Sequence, residues 1–434
     1  MQTHDRIRRH TATSPMRIVC QITRFMRMQY GYGFGRDLSE LLKQDIKRGR
    51  ILTLLSIQIR AVMTHGSLKI ALIYEFREAY KALGYSDVDC NRFEVGEAAN
   101  HIAAVLKKLG HEVVLIPDIH SLVKRLANGE GSTWDLAFNT TEGLHGLARE
   151  GQVPALLEAY QIPFTFSDAA TMALCLDKGR TKMVLEHFNV PTAPFAVIHF
   201  NHTHGKAQVS LDEILSMVRM SRHSETLLTQ YPLFAKPLAE GSSKGIGTSN
   251  KIKSIESLCE VVNSLRKSSP SSLGVLIEKY LPGREFTVGI LGTGEDAWVV
   301  GVDEIVWCSN GSTKSNPETV EYTTEKSKSV EDWAGEADEI KVGRDDQEAD
   351  LACRTALRAW TVLRCRDGGR VDIRMDGSSG SPVAHVMEIN PLAGLLPHWS
   401  QLPMIAEHNN VSYNELIEHI LKSALKRRRA QVPS

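Results

Sequence analysis

Apolar positions first gather at Lys69-Ile-Ala-Leu-Ile-Tyr74, a short run of the buried-strand type. A polar, turn-rich loop follows. Val95, Ala98, Ala99, Ile102 and Leu106 then recur on one stripe, predicting a helix from about Glu94 to Leu109 that Gly110 ends. A strand at Glu112–Ile116, a short helix, a strand at Trp134–Asn139, a helix around Gln152–Tyr160 and the run Ile162–Phe166 continue the alternation. Strands separated by helix-length segments imply parallel βαβ units, so residues 67–166 read as a small doubly wound domain. Beyond it, Asp177–Phe188 is helical, Pro191 and Pro194 turn into Phe195–Ile198, and residues 200–230 are polar and helix-leaning. The pattern then changes to antiparallel-type strands at Leu233–Lys236, Val275–Lys279, Glu285–Leu291 and Ala297–Val302. Residues 311–350 lack apolar periodicity and read as linker or mobile active-site loop. A helix from about Glu348 to Leu363 buries Leu351, Ala352, Ala356, Leu357 and Trp360. Two strands, Arg370–Met375 and Ala384–Ile389, flank a hairpin turn at Asp376–Ser381, and a helix over Tyr413–Lys426 closes the chain.

Composition narrows the class. A chain of 434 residues exceeds one hydrophobic core, so two to three domains are expected. The 51 basic and 51 acidic side chains cancel, which removes any whole-chain attraction to nucleic acid or membrane. No apolar run approaches the roughly 18 residues of a spanning helix. Seven scattered cysteines without a CxxC pair argue for a reducing compartment, hence the cytoplasm, and against a disulfide framework or structural zinc site. The balance hides an asymmetry, because residues 1–66 carry twelve Lys/Arg against four acids. Such a leader reads as an organelle transit peptide or, preferably, as a disordered extension or unused upstream start, with Met63 just before the first strand.

Three constellations carry chemistry. Glu388-Ile-Asn390 is a period-2 pair whose side chains leave one face of a strand, and Asp372 on the neighbouring strand can point the same way. Two carboxylates and an amide oxygen are hard ligands suited to Mg²⁺ held with phosphates, although such a trio also occurs as a plain surface pair on a hairpin. Lys236 closes an apolar strand and leads into Glu240-Gly-Ser242-Ser243-Lys-Gly245, a turn that can offer N–H groups and hydroxyls to phosphate or serve as a flexible turn. Glu278-Lys279-Tyr-Leu281-Pro-Gly-Arg-Glu285 places acids around a sharp turn, either for ribose and adenine or as a surface hairpin.

In this order the three elements resemble the ATP-grasp superfamily, and within it the D-alanine–D-alanine ligase family, over roughly residues 69–427. Ile162-Pro-Phe-Thr-Phe-Ser167, Leu176-Asp-Lys178-Gly-Arg-Thr-Lys182, Val190–Pro194 and Glu388-Ile-Asn-Pro-Leu-Ala-Gly394 add to the series. The resemblance implies an α/β and α+β ATP-grasp fold with an N-terminal parallel-sheet domain. The expected divisions are an extension at 1–66, an α/β domain at 67–166, a central subdomain at 167–277, a C-terminal subdomain with the metal site at 278–427, and a tail at 428–434. It further implies that Lys178 and Lys236 reach the ATP phosphates, that Glu240, Ser242 and Ser243 lie in the loop closing over them, and that Ser243 also meets substrate. Glu278, Lys279 and Leu281 correspond to the adenine segment, and Glu285 to the ribose acid. Asp372, Glu388 and Asn390 match the ligands of two Mg²⁺ ions, with Mn²⁺ as the substitute. Arg370 and the N–H of Gly394 match the groups that stabilise an oxyanion. Small amino-acid or carboxylate substrates and ATP are the implied partners, and the family's members are usually dimers.

The substrate end departs from the family pattern. Where members carry a glycine-rich turn ending in an acid, this chain has Tyr74-Glu75-Phe-Arg-Glu78 and a longer insert, with Glu75 and Glu78 as candidates for an amino group. Asn139-Thr-Thr-Glu142-Gly-Leu-His145-Gly146 replaces a His-Gly turn, and Glu142 is a further candidate for the amine. Glu321-Tyr322-Thr-Thr-Glu325-Lys326 corresponds only loosely to the family's mobile loop. Trp399 falls about where members have a serine for the C-terminal carboxylate, and Ser400 is the alternative. The expectation is a carboxylate–amine ligase acting through an acyl phosphate on D-alanine, with another amino acid or carboxylate as the alternative. A nucleotide-binding module without catalysis is the reading from another class.

Overall fold

A computed structural model describes residues 66–90, 96–200, 208–239, 247–268, 274–307, 337–377 and 380–431. The basic leader up to residue 65, the loop bearing Glu240, Ser242 and Ser243, and Glu321–Lys326 lie outside these residues.

Strand β1 (Lys69–Ile73) leads into the short helices α1 (Arg77–Ala82) and α2 (Asp87–Cys90). Then come α3 (Glu97–Lys108), β2 (Glu112–Ile116), α4 (Ile119–Ala127), β3 (Leu136–Asn139) and α5 (Gln152–Ala159). The three strands form a parallel sheet in the order β2-β1-β3. Strand β1 is apolar from Ile70 to Ile73 because both of its faces are covered there, as parallel strands require. Ile70 and Leu72 pack with Ile102 and Leu106 of α3, while Ala71 and Ile73 pack with Leu122 and Leu126 of α4 and Leu157 of α5. Gly110 ends α3 at φ +90°, with the His111 N–H returning to the Leu106 carbonyl. The run Ile162–Phe166 adds only one parallel bridge, Ala137 to Phe164. Pro163 has no N–H to continue a ladder.

Next come α6 (Ala169–Leu176), α7 (Lys178–His187), β4 (Phe195–His199), α8 (Leu211–Arg219), α9 (Ser224–Thr229), β5 (Leu233–Pro237), β6 (Lys251–Ile252), α10 (Ile255–Ser268) and β7 (Gly274–Lys279). The strands pair antiparallel in the order β4-β7-β5-β6. Val275 and Ile277 pack with Ile214 of α8 and Val262 of α10. Leu276 instead packs with Phe195 and Leu238, so alternation turns Leu276 and Glu278 to the other face.

The chain then crosses into a second antiparallel sheet. Its strands are β8 (Glu285–Leu291), β9 (Trp298–Trp307) and β10 (Ala337–Lys341), followed by helix α11 (Gln347–Val362), β11 (Gly368–Met375) and β12 (Ala384–Asn390). Helices α12 (Gln401–His408) and α13 (Tyr413–Gln431) complete the chain. The sheet order is β10-β9-β8-β11-β12. The Pro282-Gly283 turn therefore joins two sheets, and β7 and β8 do not pair with each other as a hairpin would. Within the polar stretch that the pattern assigns to a loop, β10 is a strand, held through its register against β9 at the sheet edge. Helices α6, α10 and α12 were likewise not expected. Helix α10 buries its own stripe of Leu258, Val261, Val262 and Leu265.

Helix α11 lies on this sheet through Ala352, Ala356, Ala359 and Trp360, all fully buried with Val288, Val371 and Ile373. The indole needs the space that Gly369 leaves, since a Cβ there would stand 2.7 Å from the Trp360 ring and 2.4 Å from the Asn390 carbonyl oxygen. Gly369→Ala is expected to cost about 1–3 kcal/mol through overpacking, read from the urea midpoint.

Candidate active site

Register across the second sheet brings the acids together. Asp372 lies opposite Glu388, and Arg370 opposite Asn390. On its other side Asp372 faces Thr287, which in turn faces Asp303. Arg370 donates from Nη1 to both oxygens of Asp372 at 2.8 Å. Thr287 donates to Asp372 Oδ1 at 3.2 Å, and Asn390 donates to Oδ2 at 3.4 Å. Asp372, Glu388 and Asn390 thus share one patch.

Lysines meet this patch. Asp177 caps α7 by accepting from the Arg180 N–H at 3.0 Å, which sets Lys178 at the first helical position. Lys178 Nζ is 3.0 Å from Glu388 Oε1. Burial would raise the Glu388 carboxyl, but Lys178, Lys236 and Arg370 outweigh it and hold the group at about 2. Deeper in, Glu278 has no exposed surface and pairs with Lys182 at 2.9 Å and Lys236 at 2.8 Å. Burial opposes its charge as well, and the two lysines still pull it to about 2. Burial lowers Lys182, against the pull of Glu278. Lys182 also donates to Thr192 Oγ1 at 2.6 Å. Three buried lysines thus face the buried Glu278 and the half-buried Glu388, cationic groups that suit an anionic ligand.

Beside them, Arg374 ties the sheet-crossing turn together. It donates to Leu281 O at 2.7 Å and to Glu285 Oε2 at 2.7 Å. Lys279 reaches Gln230 at 3.0 Å.

The ligand set fits a hard divalent cation. Two carboxylates and an amide side chain share the patch, and Glu388 is held ionised. Cationic groups already sit on both acids, Lys178 on Glu388 and Arg370 on Asp372. Among the described residues no group of three or more His, Cys, Asp or Glu is placed to hold a metal, and this trio has only two acids.

At the substrate end, Glu75 is 9% exposed and accepts from the N–H groups of Glu142 and Gly143, each at 2.9 Å, and from the Tyr80 hydroxyl at 3.3 Å. Burial raises it to about 7, and the Glu142 carboxylate adds to that while the N–H groups oppose it. Glu78 is exposed and pairs with Lys81 at 3.4 Å, away from this pocket. Glu75, Glu142 and Gly394 line one cavity of about 70 Å³. Ser400 accepts from the Leu396 N–H at 3.0 Å, and its Oγ would be 2.7 Å from a Cβ at Gly394. Trp399 is 44% exposed, so Ser400 is the residue the fold turns toward Gly394.

Some site residues escaped the sequence reading. Lys182 appeared in a motif without a role. Glu150 is raised to about 8, mainly by burial and then by Glu142, with Arg149 and Lys178 opposing. Asp303 pairs with His408 at 2.8 Å, one strand beyond Thr287. Glu278, already assigned to the adenine segment, carried a further signal, since an acid within Val-Leu-Ile-Glu needs a buried partner.

Glu278→Gln would leave Lys182 and Lys236 without their shared counter-charge. The loss expected at pH 7 is roughly 3–5 kcal/mol. A carboxyl lowered to about 2 on folding stabilises above its unfolded value near 4.5, and that contribution fades as pH falls between the two. The gap between variant and parent in urea unfolding should therefore narrow across that window.

A family model described as D-ala D-ala ligase C-terminus matches residues 184–422, just over half of the chain. The D-alanine–D-alanine ligase of Thermotoga petrophila is 28% identical over 327 residues, covering 75% of this chain and 91% of the relative. That of Thermotoga maritima is 28% identical over 328 residues, with the same coverage. Two crystal structures of D-alanine–D-alanine ligase from Bacillus anthracis share the fold over 84% of this chain and all of theirs. The one complexed with ATP has a TM-score of 0.58 at 20% identity, and the other 0.60 at 21%. The architecture is ATP-grasp with a parallel sheet in its N-terminal region. With its motifs in register from Lys178 to Gly394 and the family model spanning both antiparallel sheets, this chain belongs to the D-alanine–D-alanine ligase family.

Proposed function

We propose that the chain is an ATP-dependent ligase that forms an amide bond between two amino acids, D-alanine being the substrate named for its relatives. The observation that carries the reading is the row Glu388–Asp372–Thr287 beside Arg370 and Asn390, with Lys178 on Glu388. In this proposal Lys178 and Lys236 release their carboxylates and hold the ATP phosphates. Glu240, Ser242 and Ser243 close over phosphate and substrate. Glu278, Lys279 and Leu281 border adenine, and Glu285, steadied by Arg374, takes the ribose. Asp372, Glu388 and Asn390 would hold two Mg²⁺ ions, which neutralise phosphate charge when bound.

Transfer of the γ-phosphoryl group to the first carboxylate gives an acyl phosphate. The second amine attacks it, and the tetrahedral oxyanion collapses with loss of phosphate. In this reading Arg370 and the Gly394 N–H stabilise that oxyanion, where each donor commonly contributes a few kcal/mol. The buried Glu75, with Glu142 beside it, receives the first amino group, and an ammonium there would return Glu75 to its ionised form. A second reading keeps the reaction and changes the amino acid. It is favoured by the rebuilt first-substrate wall around Glu75.

The full chain incubated with Mg²⁺, ATP and D-alanine should release ADP and yield a dipeptide by mass. Chelating the metal should abolish both. Arg370→Met should lower kcat by about 10²–10³ with little change in the KM for ATP. ADP release that needs no amino acid, with no amide product, would sink the ligase reading.

A further inference from the structure

Glu75 lines two chambers. The smaller, about 70 Å³, contains Gly394 and so the reacting carboxylate of the proposed first substrate. The larger, about 220 Å³, is three times that size and lies on the other side of Glu75 and Gly143. Its walls include Tyr80, Tyr85, Ile119, Leu144, His145 and Arg149. The tyrosines come from α1 and the turn after it, part of the insert that follows Glu75 in place of the family's glycine-rich turn.

The wall is an aromatic panel. Tyr80 and Tyr85 meet edge-on with ring centroids 5.6 Å apart, and Tyr85 and His145 lie 5.6 Å apart at 35°. Such panels receive another ring by stacking at centroid distances of roughly 4.5–7 Å. Arg149 lines the same wall, with its guanidinium 3.6 Å from Glu150. It is 7% exposed, donates to Ala239 O at 2.9 Å, and its Nε has no hydrogen-bond partner. A methyl side chain would leave this volume unused.

We propose that the chamber behind Glu75 receives the side chain of the first amino acid, and that this side chain is aromatic. The α-amino group then sits on Glu75 at the junction of the two chambers, with the α-carboxyl toward Gly394. An ionised carboxylate has about four acceptor sites, and Glu75 uses three for Glu142, Gly143 and Tyr80, so one acceptor site remains for the ammonium. The inference rests on the ligase reading and names the substrate class of that same site.

The test pairs the full chain, Mg²⁺ and ATP with D- and L-forms of phenylalanine, tyrosine and tryptophan as first substrate and D-alanine as second, against D-alanine alone. The expected product is a mixed dipeptide with the aromatic residue at its N-terminus, formed with kcat/KM about tenfold or more above that for dialanine. Leu144→Trp, which fills the chamber, should remove that preference. Dialanine formation in both proteins with every aromatic acid inert would overturn the aromatic pocket and leave the ligase standing. If no pair gives product, the ligase reading fails, and calorimetry with the aromatic acids alone decides the chamber. Binding to the parent that Leu144→Trp abolishes would uphold it, and no binding to the parent would overturn it.

Discussion

Glu278 sits with no exposed surface between Lys182 and Lys236, and much of the ligand side of the protein depends on that arrangement. An isolated carboxylate at such a depth would be neutral or would open the fold, because its lost hydration costs several kcal/mol. Two lysines within 2.9 Å keep it charged. They are themselves kept in place by it, since among the described residues neither long side chain has another carboxylate so close. Lys182 comes from α7, and Lys236 and Glu278 come from adjacent strands, so one ion triad pins a helix to the sheet face where a nucleotide would lie. The same α7 presents Lys178 to Glu388 of the other sheet. Charge pairing therefore joins two sheets that share no backbone ladder.

The second sheet converts register into chemistry. A bulge after Asp372 changes the pairing with β12, yet Asp372 and Glu388 remain opposite one another. Arg370 is two residues away on the same strand and so on the same face, which brings a cation against Asp372. Gly369, between the buried indole of α11 and the Asn390 carbonyl, lets β11, β12 and the helix come this close. Packing behind the sheet and polar geometry in front of it are thus set by one short segment, Gly369–Asp372.

Much of this was legible because it is local. Glu388 and Asn390 share a face by strand periodicity, and β11 and β12 are close in the chain, so their pairing followed from a short turn. Lys236 at the end of an apolar strand was visible in the same way. The glycine after α3 and the alternation of β1 through β3 also depend only on neighbours. The turn at Pro282-Gly283 misled, since strand, turn and strand usually make a hairpin, and here the second strand finds its partners in β9 and β11 instead. Ile162–Phe166 was over-read for a related reason, its apolar character serving a loop packed under neighbouring elements.

The sequence by itself determined much of the order of elements, the family, and the residue types that chemistry on ATP requires, because these rest on short-range periodicity and on motifs a few residues long. Only the tertiary structure decided which charges neutralise one another and how deep they lie. Glu278 meets Lys236 across a strand pair and Lys182 from a distant helix. Glu75 rises to about 7 only because the fold buries it and brings the Glu142 carboxylate near, against the hydrogen bonds from Glu142, Gly143 and Tyr80. Which serine turns toward Gly394, and how large a chamber opens behind Glu75, were likewise settled by packing. Burial is a property of neighbours brought from far along the chain, and it sets both the charge state of a side chain and the space beside it.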